Sequence, residues 1–475
     1  MAASYVLSML PPLSYFRIPP NSKPTLLPLP QPGSAAYNPP FNISDQFFAA
    51  ALDIKVPLTI AAVYAVTAKL LNRYNKSTGN RPWAISKTRG FFAFVVAHNV
   101  LLAVYSAWTW IGMVGMLSRT LANPFANTGN PSTGGWASTI DSICRMSGSP
   151  GLGNGLVYHE RAGLWTTQSS PALPEFAVTP DRNQPGRMWN EGLAFYGWLF
   201  YLSKFYEVLD TFIILAKGKY SSTLQTYHHA GAMMCMWAGM RYMSSPVWMF
   251  VFMNSFIHTL MYSYFTFTAF SVRVPTKVKR SLTSAQITQF LVGASIAMSH
   301  SFIGYTVPAA STSRSVLSSN DSDFASGAAN STAPPALKAA SCIATSSETF
   351  AIWLNVLYLA PLTYLFMKFF ITSYLRRSNA EISRGKDAVD GSAASKRKLA
   401  ATFSSGPASL VAAIASTEEE VRHRLSNVGN LAEKAGWEAA VNLEKEVYGN
   451  SAEVTATKTS PETSATTQSK SKQAK

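Results

Sequence analysis

The sequence predicts an all-α, polytopic membrane protein in which seven transmembrane helices enclose a polar cavity. Three observations predict it. Apolar residues concentrate between about residue 51 and residue 375 of the 475, in runs near the ~20 residues that a spanning helix needs. Charged residues make up only 13% of the chain, and Lys and Arg gather in the short segments between alternate runs. Polar residues inside several runs recur at spacings of three and four, the periodicity of one helix face.

In order, the runs are Val56–Leu71, Gly90–Leu117, Leu193–Ala216, Thr223–Tyr242, Val247–Phe270, Ile287–Val307 and Phe350–Tyr374. The first is short and contains Pro57, which leaves its start open. The third and fourth are the least apolar and count as spans because their polar residues keep helical spacing. Met1–Pro11 has no basic segment and no clean cleavage site, so the first span is the expected insertion signal. The chain therefore divides into an N-terminal segment at 1–50, a seven-helix membrane domain at 51–376 with insertions at 118–190 and 308–349, and a largely disordered tail at 377–475. The insertions are long and rich in Gly, Ser and Pro, as lids or disordered loops are. No internal repeat is visible.

The basic segments set an orientation. Arg73, Lys76, Arg81, Lys87 and Arg89 follow the first run; Lys217 and Lys219 follow the third; Arg273, Lys277, Lys279 and Arg280 follow the fifth; Arg376, Arg377, Arg384 and Lys386 follow the seventh. The positive-inside rule makes all four cytosolic, and an odd number of spans then puts the N-terminus and both insertions in the lumen. This use of the net charge of +16 leaves no case for nucleic acid as a partner. The sequons at Asn42, Asn320 and Asn330 fall in expected lumenal segments and are candidate glycosylation sites. The sequon at Asn75 falls on the cytosolic side and is expected to stay bare. Cys144 and Cys342 lie in different insertions, where an oxidising lumen permits a disulfide; Cys235 lies inside the fourth run.

The chemistry lies in the third to sixth runs. Lys204, Glu207, Asp210 and Thr211 form one stripe on the third. Ionisable groups at membrane depth generally face a bundle interior or a water-filled cavity, and four exceed what packing requires. The fourth run opens with Gln225, His228 and His229 on one face, where imidazole can be nucleophile, general base or metal ligand. Asn254 and His258 stand at i, i+4 on the fifth, continued by Met261 and Tyr262, with Tyr264 read as packing. Thr283, Gln286 and Gln289 stand at i, i+3, i+6 near the sixth.

These four boxes in register resemble the ELO family of fatty acid elongases, membrane-embedded 3-ketoacyl-CoA synthases of the endoplasmic reticulum; His98-Asn99 resembles a weaker family element. The resemblance covers roughly residues 51–376 and departs from the usual pattern at Gln225, where most members carry His and members acting on polyunsaturated chains often carry Gln. It implies a very-long-chain acyltransferase that condenses malonyl-CoA with an acyl-CoA, loses carbon dioxide and needs no cofactor beyond its CoA thioester substrates. It also implies an acyl channel, a homodimer, and reductases and a dehydratase as partners of the cycle. His228 is the expected acyl-accepting nucleophile, with His258 the open alternative. His229, Asn254, Lys204 and Asp210 would orient the thioester and stabilise an enolate. Glu207, Thr211, Gln225, Tyr262, Thr283, Gln286 and Gln289 would bind substrate.

Two rival classes fit these residues less well. A di-iron desaturase or hydroxylase needs more histidines than the five near the membrane: His98, His228, His229, His258 and His300. A seven-helix receptor or transporter matches the span count, but the paired repeats or broken helices of many transporters are not evident.

Overall fold

The computed structural model describes residues 5–20, 24–125, 135–309 and 336–371. Strand β1 (Val6–Ser8) leads to α1 (Asp45–Ala51) and α2 (Lys55–Ser77), then α3 (Arg89–Thr120) and α4 (Trp136–Cys144). Strands β2 (Leu156–His159) and β3 (Leu164–Thr167) precede α5 (Ala194–Tyr206), α6 (Val208–Ala216), α7 (Thr223–Arg241), α8 (Val247–Ala269) and α9 (Thr276–Ser299). Strands β4 (Ile303–Pro308) and β5 (Leu337–Ser341) precede α10 (Ser346–Phe370).

Helix starts follow local chemistry. Thr88, Ser222 and Thr345 cap α3, α7 and α10, each accepting a bond from a backbone N–H in the first turn that has no helical partner. Pro57 falls in the first turn of α2, where a missing N–H costs nothing, so the helix starts ahead of it at Lys55. Pro246 and Pro275 stand immediately before α8 and α9.

The predicted third span is not one regular helix. Chain entry is through a π turn at Trp189–Leu193, in which Gly192 has φ 131°, a conformation that a side chain would strain. The rod then breaks at Glu207, between α5 and α6, where the Asp210 N–H bonds the Glu207 carbonyl three residues back. A tightened turn inside a helix often marks a functional position.

The predicted sixth span is corrected. Its helix, α9, runs eleven residues earlier than expected at its start and ends at Ser299, and 303–308 is strand. Ile303, Tyr305 and Val307 alternate with smaller residues, a period of two that suits a sheet. Tyr305 and Val307 are buried there, and β4 pairs antiparallel with both β1 and β5.

The insertions expected as lids or disordered loops carry α4, the hairpin β2-β3 and strand β5, which completes a three-stranded sheet in the order β1-β4-β5. A disulfide joins Cys144 to Cys342. Beside it Arg187 donates to Asp141 at 2.7 Å, with both side chains almost wholly buried, and the Tyr305 hydroxyl donates to the other carboxylate oxygen at 2.9 Å.

The main core lies around α5 and reaches the N-terminal segment: Leu27, Leu29, Phe48 and Leu52 pack with Trp189, Trp198, Tyr201 and Trp237. Trp198, Tyr201 and Trp237 donate to the carbonyls of Phe48, Ala51 and Leu52, supplying partners at the carbonyl end of α1, and Trp189 donates to the Leu27 carbonyl. At the opposite end of the bundle the connections are short. Asn72 exchanges two bonds with Ser221, and Asn75 donates to the Leu215 carbonyl at 2.8 Å.

Among the described residues, α3 and α10 are long and apolar enough to cross a membrane, and α1 with α2 qualifies as one span bent by 48°. The chain is thus a mostly helical membrane protein, with no closed sheet among the described residues. Of the other helices of the predicted seven, α5 and α6 are each too short because of the break at Glu207, and α7, α8 and α9 carry polar side chains that lower their hydropathy.

Candidate active site

The break at Glu207 places a charged stack between α5 and α8. Lys204 donates its Nζ to Glu207 Oε1 at 2.7 Å, and both side chains are under 5% exposed. Ser203 also donates to Glu207 at 3.1 Å, and His258 Nδ1 lies 3.5 Å from the same oxygen. Lys204 makes a second bond to Asn254 Oδ1 at 3.0 Å. An ammonium can only donate, so it holds the Asn254 amide with its oxygen toward Lys204 and its NH2 directed elsewhere. A buried cation thus orients an amide donor on the neighbouring helix.

One turn on, Asp210 accepts from the Tyr262 hydroxyl at 2.6 Å and contacts His98 Nε2 at 2.8 Å. Thr211 is fully buried and bonds Tyr64 of α2 at 2.8 Å. The helical stripe read from the sequence is therefore shared between two neighbours: Asp210 faces α3 and α8, and Thr211 faces α2.

The histidine pair stands near the start of α7. His229 is buried, edge-on to the Tyr64 ring. The His228 ring lies 5.4 Å from that of His229, centroid to centroid, and its Nδ1 is 2.9 Å from the hydroxyl of Tyr358 on α10.

Several of these side chains border a cavity of about 590 Å³. Asp210, Gln225, His228, His229, Asn254, His258, Tyr262, Thr283, Gln286 and Gln289 all line it. Tyr220, Ser222 and Lys368 line it as well, beside the basic short connections. A smaller chamber of about 50 Å³ adjoins it, sharing His228, Asn254, Gln289 and Phe290 and otherwise walled mainly by apolar groups such as Met236, Leu359 and Leu362. The arrangement offers imidazole nitrogens and amide donors where a larger, partly polar cavity meets a small apolar chamber.

Ten of the thirteen residues singled out as catalytic or substrate-binding border the larger cavity, and Lys204 borders the smaller. Glu207 and Thr211 border neither: Glu207 pairs with Lys204 and stands 3.5 Å from His258, and Thr211 bonds Tyr64 across the α2–α6 contact. Gln286 donates to the Met261 sulfur, and Thr283 to the Lys279 carbonyl. Asn42 is exposed, while Asn320 and Asn330 lie outside the described residues. Among the described residues, no group of three or more His, Cys, Asp or Glu could hold a metal ion.

Tyr358 and Asn355 were missed by the sequence reading. Both line the smaller chamber, and their i, i+3 spacing inside an apolar helix was the signal that could have found them.

The family model described as ELO: GNS1/SUR4 family matches residues 49–382. Similar proteins include fatty acid elongase sre1 of Dictyostelium discoideum, 37% identical over 102 residues, or 21% of this chain and 37% of that protein. Very long chain fatty acid elongase 3 of Homo sapiens is 32% identical over 109 residues, 23% of this chain and 40% of its own. Fatty acid elongase 2 of Trypanosoma brucei brucei is 29% identical over 119 residues, 25% of this chain and 44% of its own. The aligned stretch thus spans less than half the length of these relatives. No solved structure matches.

Proposed function

This chain belongs to the ELO family, and from that premise we propose that it is the condensing enzyme of fatty acid elongation, a very-long-chain 3-oxoacyl-CoA synthase. One observation carries the reading. His228, His258 and Asn254 converge on a cavity that extends from the basic end of the bundle to an apolar chamber. The CoA portion of a thioester would lie at the end near Lys368, with the acyl chain along the apolar wall of the larger cavity and the small chamber beside the reacting carbonyl.

In the proposed sequence, His228 Nε2 attacks the thioester carbonyl carbon. The N–C bond forms, the C–S bond breaks, and the thiolate leaves to take a proton from solvent. The acyl group is then held as an acyl-imidazolium. Malonyl-CoA loses carbon dioxide, and the electron pair of the broken bond becomes an enolate. The enolate carbon attacks the acyl carbon and returns the pair of the C–N bond to Nε2. The products are 3-ketoacyl-CoA, carbon dioxide and CoA, with one proton consumed. The Asn254 amide NH2, oriented through Lys204, is suited to donate to the enolate oxygen. Asp210, held by Tyr262 and His98, keeps α8 against α6 and α3 at the cavity wall.

The test is radiolabelled malonyl-CoA incorporation by the protein in microsomes, with acyl-CoAs of graded length and unsaturation. His228→Ala should lower 3-ketoacyl-CoA formation by at least about 10²-fold with expression retained. Near wild-type product from that variant would overturn the nucleophile.

The same reading carries seven spans, with α5 and α6 forming one broken span, in the membrane of the endoplasmic reticulum. The basic connections would face the cytosol and the disulfide-bearing insertions the lumen. A homodimer working beside the reductases and dehydratase of the cycle completes the proposal.

A further inference from the structure

Tyr358 has no part in the reaction as written, yet it is the residue that His228 touches most closely across α10. Its placement is built by two neighbours. Gly231 lies three residues after His228 on α7, and a Cβ there would fall inside the Tyr358 ring. The bare backbone at Gly231 lets that ring come close to the helix. Tyr227 stacks on the Tyr358 ring, with centroids 5.5 Å apart, and its hydroxyl donates to the Tyr358 carbonyl at 3.2 Å.

The Tyr358 hydroxyl then makes two contacts with one residue. It lies 2.8 Å from the His228 carbonyl oxygen and 2.9 Å from His228 Nδ1. The hydroxyl has one hydrogen, and a carbonyl oxygen can only accept. The hydrogen therefore goes to the carbonyl, since two oxygens 2.8 Å apart with no hydrogen between them would repel. The contact with Nδ1 must then be an Nδ1–H donating to the phenolic oxygen. A neutral imidazole protonated at Nδ1 carries its free electron pair on Nε2.

We propose that Tyr358 is a positioning residue that sets the tautomer of His228, keeping the hydrogen on Nδ1 so that Nε2 is the nitrogen free to attack. This rests on His228 being the nucleophile, as proposed above. When Nε2 takes the acyl group the ring becomes cationic, and the Nδ1–H bond to Tyr358 becomes charge-assisted and stronger. The bond thus favours the acylated state over the resting one, which acts on the rate of acyl transfer and not on substrate binding.

The test uses the full-length enzyme with acyl-CoA alone, following the burst of CoA thiol release, together with the KM for acyl-CoA in the complete reaction and a peptide map of the acylated residue. Tyr358→Phe keeps the ring that packs on Gly231 and Tyr227 and removes only the hydroxyl. The expected result is an acyl group on His228 in the wild-type enzyme, a burst slowed about 10²-fold in the variant, and KM nearly unchanged. A burst within about threefold of wild type, with the acyl group still mapped to His228, overturns the tautomer role and leaves the function intact. An acyl group mapped to His258 instead removes the nucleophile and this proposal together. Independently of any variant's folding, solid-state NMR of 15N-histidine-labelled protein, subtracted against His228→Ala, should show His228 protonated at Nδ1; protonation at Nε2 in the resting enzyme overturns the proposal.

Discussion

Removing the carboxylate of Glu207 should unfold the site before any question of catalysis arises. Glu207 accepts from Lys204 at 2.7 Å and from Ser203 at 3.1 Å, and it stands 3.5 Å from His258. In Glu207→Leu the Lys204 ammonium stays 4% exposed, with Asn254 Oδ1 and the face of the Phe200 ring for company. Stranding one member of a buried pair costs about 3–5 kcal/mol. That is a large share of the ~5–15 kcal/mol by which proteins are stable. At the usual scaling for a domain of this size, the melting temperature should fall on the order of 10 °C. Lys204→Met removes the other charge, and the double variant Lys204→Met/Glu207→Leu should recover most of the loss, because apolar pairs of similar volume often replace buried ion pairs without penalty. Activity should not recover in the double variant, since the Asn254 amide has lost the cation that orients it. Thermal unfolding in detergent, followed by tryptophan fluorescence for the wild type, both single variants and the double, gives the coupling energy directly. A Glu207→Leu protein as stable as wild type would refute the buried-pair reasoning, and an active double variant would refute the role given to Lys204.

Two further outcomes are expected. Cys144→Ser should lower stability by about 2–5 kcal/mol, since the bond closes a loop across 198 residues and holds α4 against β5; thermal unfolding with and without reductant should converge on the value for the variant, and no difference in wild type would mean the bond does not form. Asn42→Gln should lose a glycan detectable as a glycosidase-sensitive mobility shift, whereas Asn75→Gln should not. Asn75 is buried, donates to the Leu215 carbonyl and accepts from Trp83 Nε1, so its amide has no room for a sugar, and a glycan found there would reverse the orientation.

Much of the site could be read from the chain alone. Lys204, Glu207 and Asp210, the pair His228 and His229, and Asn254 with His258 stand out because polar groups at helical spacing in apolar runs have few structural uses. The start and end of α3, α7 and α8 were also legible, within a few residues, from their apolar stretches and the helical spacing of their polar residues.

The tertiary structure decided the rest. Periodicity says which residues share a helix face but not which neighbour that face meets, so it grouped Asp210 with Thr211, which turn to different helices. A short apolar run continuous with a helix hides a change of period, so the alternation at 303–308 became readable as a strand once β1 and β5 were seen to flank it. The partner of His228 lies 130 residues away on a helix joined through an insertion, and no local pattern couples them. The polar residues inside the membrane helices were determined by the sequence. Which of them meet, and which nitrogen of His228 is left free, depends on the packing of α7 against α10.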